Sequence, residues 1–288
     1  MVSVPLRRSE EHIEAASGRS LFYRTWSPGL SEGAPMLFLH GFGEHSGRYE
    51  SVARWFGERG RQVHAYDQIG HGLSSGQRGH VTRFDDYLDD LAFMVERVVP
   101  EPNRPLPILV GHSLGGLIAA TLVCERTPKI SQLVLSGPAF ELGSDISRLR
   151  VAAARILSRV APRFSMEAGL DPNALSRDPE VVRRYRMDPM VHGRMSAALA
   201  AGMLERVVTT TSSASQVQVP VLLLHGEEDP LCPVESSRAF FKCLDPRVAV
   251  RSEIKTYPGL RHEIFNEPER EQVYEDLLDW VKEAEAGG

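Results

Sequence analysis

The stretch Pro107-Ile-Leu-Val-Gly-His-Ser-Leu-Gly-Gly-Leu-Ile-Ala-Ala120 constrains this chain more than any other. Ile108-Leu109-Val110 is short, apolar and β-branched, as a buried parallel strand is. Leu117 to Val123 has the length and apolar content of a core helix. Between them, Gly111-His112-Ser113-Leu114-Gly115 is a G-x-S-x-G. At a strand-to-helix turn this pattern puts a serine on a strained bend, with small residues two before and two after so that the chain can turn tightly. Such a turn lifts the hydroxyl above the sheet edge and aims the first helix amides, Leu114 N–H included, at whatever that hydroxyl attacks. On its own the pattern is weak, because Gly and Ser are common. Its placement between a strand and a helix gives it weight.

The flanking segments predict the layers around this turn. Ile13 to Trp26 reads as an antiparallel hairpin. Met36-Leu-Phe-Leu39 is a buried strand, Tyr49 to Arg59 a helix, Gln62 to Tyr66 a strand, and Phe84 to Val99 an amphipathic helix. Ile130 to Leu135 is a further strand. Strand and helix alternate, which predicts an α/β chain with a mostly parallel central sheet flanked by helices. The alternation breaks over 140–216, where helical stretches and no strand are expected; this is too long for a loop and reads as a helical insertion after the sixth strand. Val219 to Leu224 resumes the sheet, Glu235 to Cys243 is a helix, Val248 to Tyr257 is the last strand, and Glu269 to Glu283 closes the chain. The expected division is 1–139 with 217–288 as the core and 140–216 as a cap.

Composition removes several classes of function. A length of 288 residues suits one α/β domain, and a formal charge of −5 gives no basic footprint for nucleic acid. Cys124, Cys232 and Cys243 are too few and too scattered for a disulfide framework, which points to a reducing, cytoplasmic setting. The N-terminus lacks an apolar signal core, and no apolar run is long enough to span a bilayer. The spacing of His and Cys offers no zinc pattern, so no metal and no cofactor are expected. Oligomeric state is not set by any of this.

In open α/β sheets, sites form beyond the C-terminal ends of strands. Three chemically able residues fall there: Ser113, Asp229 and His262. A serine hydroxyl needs a base to take its proton; a histidine, neutral near pH 7, can do that and then return the proton to the leaving group. A carboxylate holds the imidazole tautomer and stabilises the imidazolium. Glu227 and Glu228 compete for the acid role, and Asp229 is preferred because it precedes Pro230 in the turn after the strand. The oxyanion donors expected are the N–H groups of Leu114 and of Phe42, in His40-Gly-Phe-Gly43. A dinucleotide reading of Gly41, Gly43 and Asp67 fails because the third glycine, Gly47, comes one place too late, and because it leaves Ser113, Asp229 and His262 unexplained.

These residues resemble a known family, the monoacylglycerol lipases and lysophospholipase-like members of the α/β-hydrolase superfamily. The matching pieces are His40 to Tyr49, Asp67 to Gly72, Gly111 to Gly116, Leu175 to Asp178, Asp188-Pro189 and His262 to Glu267, which together span nearly the whole chain. The resemblance implies cofactor-free hydrolysis of monoacylglycerol to fatty acid and glycerol, and a cap over an acyl tunnel. Position by position, Glu44, Arg48 and Tyr185 match residues near the substrate head group; Glu44 and Tyr185 are candidate substrate contacts, while Arg48 reads better as half of a structural ion pair. Some members carry a second histidine three places after the catalytic one, where this chain has Phe265. Cys232, close behind Asp229, reads as a buried inert thiol.

Lysophospholipases, short-chain carboxylesterases and proline-type peptidases share the triad, and a ligand receptor on the same fold would keep it without turnover. A helix through Ile146 to Arg163 would place Ile146, Leu149, Ala153, Ile156, Leu157 and Val160 opposite Arg148, Arg155 and Arg159. Transient contact of that face with a membrane surface, which would make the enzyme peripheral, competes with plain covering of the core.

Overall fold

The computed structural model describes residues 6–15, 18–31, 33–99, 105–141 and 148–286. In chain order the first elements are β1 (Arg7–Glu14), β2 (Ser20–Ser27), β3 (Met36–Leu39), α1 (Glu50–Gly57), β4 (Val63–Tyr66) and α2 (Asp85–Val98). Next come β5 (Ile108–His112), α3 (Leu114–Arg126), β6 (Gln132–Ser136), α4 (Arg148–Val160), β7 (Ser165–Glu167), α5 (Pro179–Met187), β8 (Arg194–Ser196) and α6 (Ala197–Ser212). The chain ends with β9 (Val221–Gly226), α7 (Val234–Lys242), α8 (Pro246–Ala249), β10 (Glu253–Tyr257) and α9 (Arg270–Ala286).

Eight strands form one sheet in the order β1-β2-β4-β3-β5-β6-β9-β10. The β1–β2 and β2–β4 pairs are antiparallel and the remaining pairs parallel. Period-two alternation splits the apolar strands between two layers. Leu37, Leu39 and Leu109 face one core, with α2 and α3, while Met36, Phe38, Ile108 and Val110 face the other, with α1 and α9. Burying each such side chain contributes roughly 1.5–3 kcal/mol before entropy is counted. From β3 the chain goes outward to β4 and returns on the other side as β5. The crevice at this reversal, above the C-terminal ends of β3 and β5, is where ligand sites form in such sheets.

Two expectations need correction. Residues 140–216 are not strand-free: β7 and β8 pair antiparallel, Ser165 with Ser196 and Glu167 with Arg194. Both are only three residues long, too short for an alternation to mark them. The last strand starts at Glu253 rather than Val248, because Asp245 caps the helical turn α8, with Pro246 at its start. Among the described residues no helix is long and apolar enough to cross a membrane.

Candidate active site

The turn after β5 is held in a conformation that side chains rarely adopt. Ser113 has φ 52° and ψ −118°, a strained backbone that persists only where its surroundings over-determine it. They do so here. Ser113 N–H donates to Ser136 O at 3.0 Å, and its carbonyl accepts from Leu117 and Ala139. The flanking glycines have no room to be anything else. A Cβ on Gly111 would lie 2.6 Å from Gly115 O, and one on Gly115 would lie 2.3 Å from Leu39 O. The G-x-S-x-G spacing is therefore a packing requirement between β3, β5 and α3.

Asp229 and His262 come together from the loops after β9 and β10. His262 Nδ1 lies 2.7 Å from Asp229 Oδ2, and both residues are buried. Asp229 Oδ1 accepts from Leu231 N–H at 2.8 Å and Cys232 N–H at 3.0 Å, so the carboxylate is fixed in orientation. A Cβ on Gly137 would sit 3.3 Å from both Asp229 Oδ2 and His262 Nδ1, so the end of β6 also walls the pair. Cys232 is buried beside the pair, its Sγ within 4.8 Å of donor atoms of Asp229 and His262. Among the described residues no hydrogen bond links Ser113 Oγ to His262; such contacts are often long until substrate binds. With Nδ1–H given to Asp229, the Nε2 lone pair of His262 is the one left to accept a proton.

Charge around His262 favours its protonated form. Burial works against the imidazolium, but the Asp229 carboxylate, with Glu263 and Glu44 further off, outweighs it and raises the pKa above the usual value. Asp229 moves the other way: burial favours protonation, and His262 with the surrounding donors overcomes it, holding the carboxyl well below its usual range.

The N–H groups of Phe42 and Leu114 have no acceptor among the described residues. Leu114 opens α3, where free amides are expected. Phe42 stands in a loop pinned from two sides. Glu44 Oε1 accepts Gly41 N–H at 2.7 Å, and His192 N–H donates to Gly43 O at 2.9 Å. Gly43 has φ 75°, and a Cβ there would strike His192 O at 2.3 Å. The His192 backbone thus clamps the loop that carries Phe42.

The candidate head-group residues divide. Glu44 accepts from Gly41, from Tyr49 Oη at 3.1 Å and from Arg48 Nη1 at 2.8 Å. Its carboxylate is thereby occupied in shaping the loop. Burial raises its pKa, yet Arg48 and the neighbouring imidazoles pull it down to about 2. Arg48 is also bidentate to Glu263, at 2.5 and 2.7 Å, which fits the structural ion pair read from sequence. Tyr185 differs: its ring lies under the Arg48 guanidinium at 4.8 Å, and its hydroxyl has no hydrogen bond among the described residues. That hydroxyl lies beside Gly43. Behind His112, a cavity of about 10 Å³ lined by Glu44, Arg48 and Phe265 is at the lower limit for one water. Asp67 is no ribose ligand: its buried carboxylate holds Arg24, Ser46 N–H and Leu73 N–H.

Three residues gain weight only in three dimensions. The His112 ring centroid is 4.7 Å from that of His262; burial, then His262, push its pKa down to about 4, so it adds no positive charge beside the base near neutrality. His225 Nε2 lies 3.3 Å from Asp229 Oδ2. Its place at the end of β9, four residues before Asp229, was the available signal. Glu267 accepts from Arg261 N–H, Ser176 Oγ and Arg177 N–H at 2.8, 3.0 and 3.0 Å. It ties the His262 loop to Leu175–Asp178, which explains why those two motifs occur together. Asp229, Cys232 and His262 also place three donor atoms within 4.8 Å, but burial keeps the thiol protonated and Asp229 is already committed to His262.

The profile of the serine aminopeptidase S33 family matches residues 32–269. The monoacylglycerol lipase of Mycolicibacterium smegmatis is 38% identical over 277 residues, 95% of this chain and 97% of its own length. Monoglyceride lipase of Homo sapiens is 31% identical over 280 residues, 96% of this chain and 91% of its own. In solved structures, the monoacylglycerol lipase of Paleococcus ferrophilus superposes with a TM-score of 0.80 at 32% identity, covering 97% of this chain and 99% of that one. Likeness on this scale, over a sheet and a seryl turn of this form, makes the protein a carboxylic ester hydrolase of the α/β-hydrolase fold, and it belongs to the serine aminopeptidase S33 family among the monoacylglycerol lipases.

Proposed function

We propose that the protein cleaves monoacylglycerol to fatty acid and glycerol through an acyl-enzyme on Ser113. The observation that carries this reading is the Asp229–His262 hydrogen bond at 2.7 Å, which leaves Nε2 as the nitrogen that can act as base. His262 takes the Ser113 proton as Oγ attacks the ester carbonyl. The tetrahedral oxyanion is held by Phe42 and Leu114 N–H. On collapse the ester C–O bond breaks, and His262 returns the proton to the departing glycerol oxygen. Water, deprotonated by His262, then attacks the acyl carbonyl; fatty acid leaves and Ser113 regains its proton. Tyr185 is the head-group contact in this scheme, and Glu44 positions the oxyanion loop. Residues 140–216 serve as a cap. A substrate panel crossing acyl length with head group tests the choice. Monoacylglycerols should exceed lysophospholipids and short p-nitrophenyl esters in kcat/KM; a lysophospholipid or a short ester at the top would overturn it.

The pH profile follows from the raised pKa of His262. The base must be neutral, so activity falls as pH drops through that pKa. Asp229, Glu263 and Glu44 face the ring with negative charge, and His112 is neutral in this range. The acid limb of kcat/KM on a soluble ester should centre above the ordinary imidazole value of about 6.5. A midpoint at or below about 6 would contradict this.

Ile156, Val160, Phe164 and Met166 of the cap are exposed, by 61, 73, 52 and 61%. Ile146 lies outside the described residues, as do the side chains of Leu149 and Ala153. The exposure favours membrane contact over plain covering of the core: apolar side chains would enter the acyl region beside Arg155 and Arg159, which are also exposed. One short face gives only weak attachment. Flotation with anionic vesicles should show partial, salt-sensitive binding that falls in Ile156→Ser and Phe164→Ser. Equal flotation of parent and variants would leave the cap without this role.

A further inference from the structure

On the outer side of the cap, Asn173, α5 and the loop before His262 enclose a cleft of about 380 Å³. Its charged lining residues are Arg177, Arg183, Arg186 and Arg261, with no carboxylate among them, in a chain whose net charge is −5. Two of the four are neutralised from outside the cleft. Arg183 pairs with Glu180 at 2.6 Å, and Arg177 with Glu267 and Glu269. The other two, Arg186 and Arg261, have no carboxylate within 4.0 Å among the described residues. They converge on one asparagine: Arg186 Nη2 donates to Asn173 Oδ1 at 3.2 Å and Arg261 Nη1 to Asn173 O at 2.7 Å. Neutral acceptors thus gather two like charges that repel one another, and each guanidinium retains donors that Asn173 does not use.

We infer that this cleft binds a phosphoryl anion. The match is one of charge and form. A phosphate monoester carries about −1.5 to −2 near neutral pH and three strong acceptor oxygens, against two uncompensated guanidiniums. Planar guanidinium forks suit phosphate oxygens better than ammonium groups do. Val182 and Met187 line the same cleft and offer apolar contact to an organic substituent. Arg261 immediately precedes His262 and its N–H is held by Glu267, so the occupied cleft adjoins the loop that carries the proposed base. The inference stands apart from the ester chemistry, since its readout is binding.

The same phosphoryl group could be presented by a soluble metabolite or by a lipid head group, and two arms separate these sources. Calorimetric titration of the full chain with glycerol 3-phosphate, at ionic strength fixed with chloride, probes the first. Flotation with phosphatidylcholine vesicles containing phosphatidic acid, against phosphatidylcholine alone, probes the second. Saturable binding in at least one arm is expected. It should weaken at least tenfold in Arg186→Gln/Arg261→Gln, and by less than twofold in Glu180→Gln/Arg183→Gln, which removes both charges of a pair and leaves the net charge unchanged. Should the Arg186→Gln/Arg261→Gln variant fail to fold by thermal unfolding, Arg186→Gln alone, on an exposed side chain, should still weaken binding severalfold. Absence of binding in both arms, or equal affinity of parent and variants, overturns the inference.

Discussion

Replacing Ser113 by alanine should abolish ester hydrolysis while the protein stays folded. The expected loss is about 10⁶ in kcat, the scale seen when a seryl nucleophile is removed and only the oxyanion donors and binding remain. The fold should survive because the strained backbone at φ 52° is held by the bonds of Ser113 N–H and O to Ser136, Leu117 and Ala139, not by the hydroxyl. Alanine keeps all of these. A soluble ester assay with matched thermal melts reads both quantities. A serine-reactive phosphonate should label the parent and not the variant. A variant that keeps more than about a thousandth of the parent rate would remove Ser113 from the nucleophile's role.

That the turn is legible in the sequence follows from what specifies it. Gly111 and Gly115 are required by backbone contacts to neighbours fixed by the strand–turn–helix order, so local sequence carries the geometry. The central parallel strands β3, β5 and β9 were legible for a similar reason: buried throughout, they are short and mostly apolar runs. The strands β7 and β8 were not. Ser165–Glu167 and Arg194–Ser196 pair over only three residues each, and no period in their residues reports that contact. The start of β10 was hidden because Val248 and Val250 continue an apolar pattern that the capping Asp245 interrupts.

Side-chain assignments divided along the same line. The position of Asp229 before Pro230 singled it out from Glu227 and Glu228, and it is Asp229 that meets His262. Glu227 instead accepts from Thr256 on the surface. By contrast, the burden on Glu44 could not be read from spacing, because its partners Gly41 and Tyr49 are close in sequence but meet it only once the loop folds back over β3. His112 and Glu267 act across elements far apart in the chain, and sequence order alone does not say that they converge on this site.

Asp229→Asn should cost about 10⁴ in kcat, with Glu227→Gln and Glu228→Gln close to the parent. The reason lies in the two backbone donors on Asp229 Oδ1. Leu231 N–H and Cys232 N–H, at 2.8 and 3.0 Å, require an acceptor there, so an asparagine must place its amide oxygen at Oδ1 and its NH₂ at Oδ2. That NH₂ then faces His262 Nδ1, 2.7 Å away. Two donors cannot share the contact, so Nδ1 must give up its hydrogen and become the acceptor. The imidazole proton moves to Nε2, the atom that has to take the serine proton, and the base is lost with little change in shape. Flipping the asparagine would restore the tautomer only by leaving two buried N–H groups facing a donor, which costs about 1–3 kcal/mol for each. Because this argument concerns tautomer and not packing, Asp229→Asn should bind a substrate analogue nearly as well as the parent does, so the loss appears in kcat and not in KM. If Asp229→Asn keeps more than about a tenth of the parent kcat, or if Glu228→Gln is the damaging change, the acid has been assigned to the wrong residue.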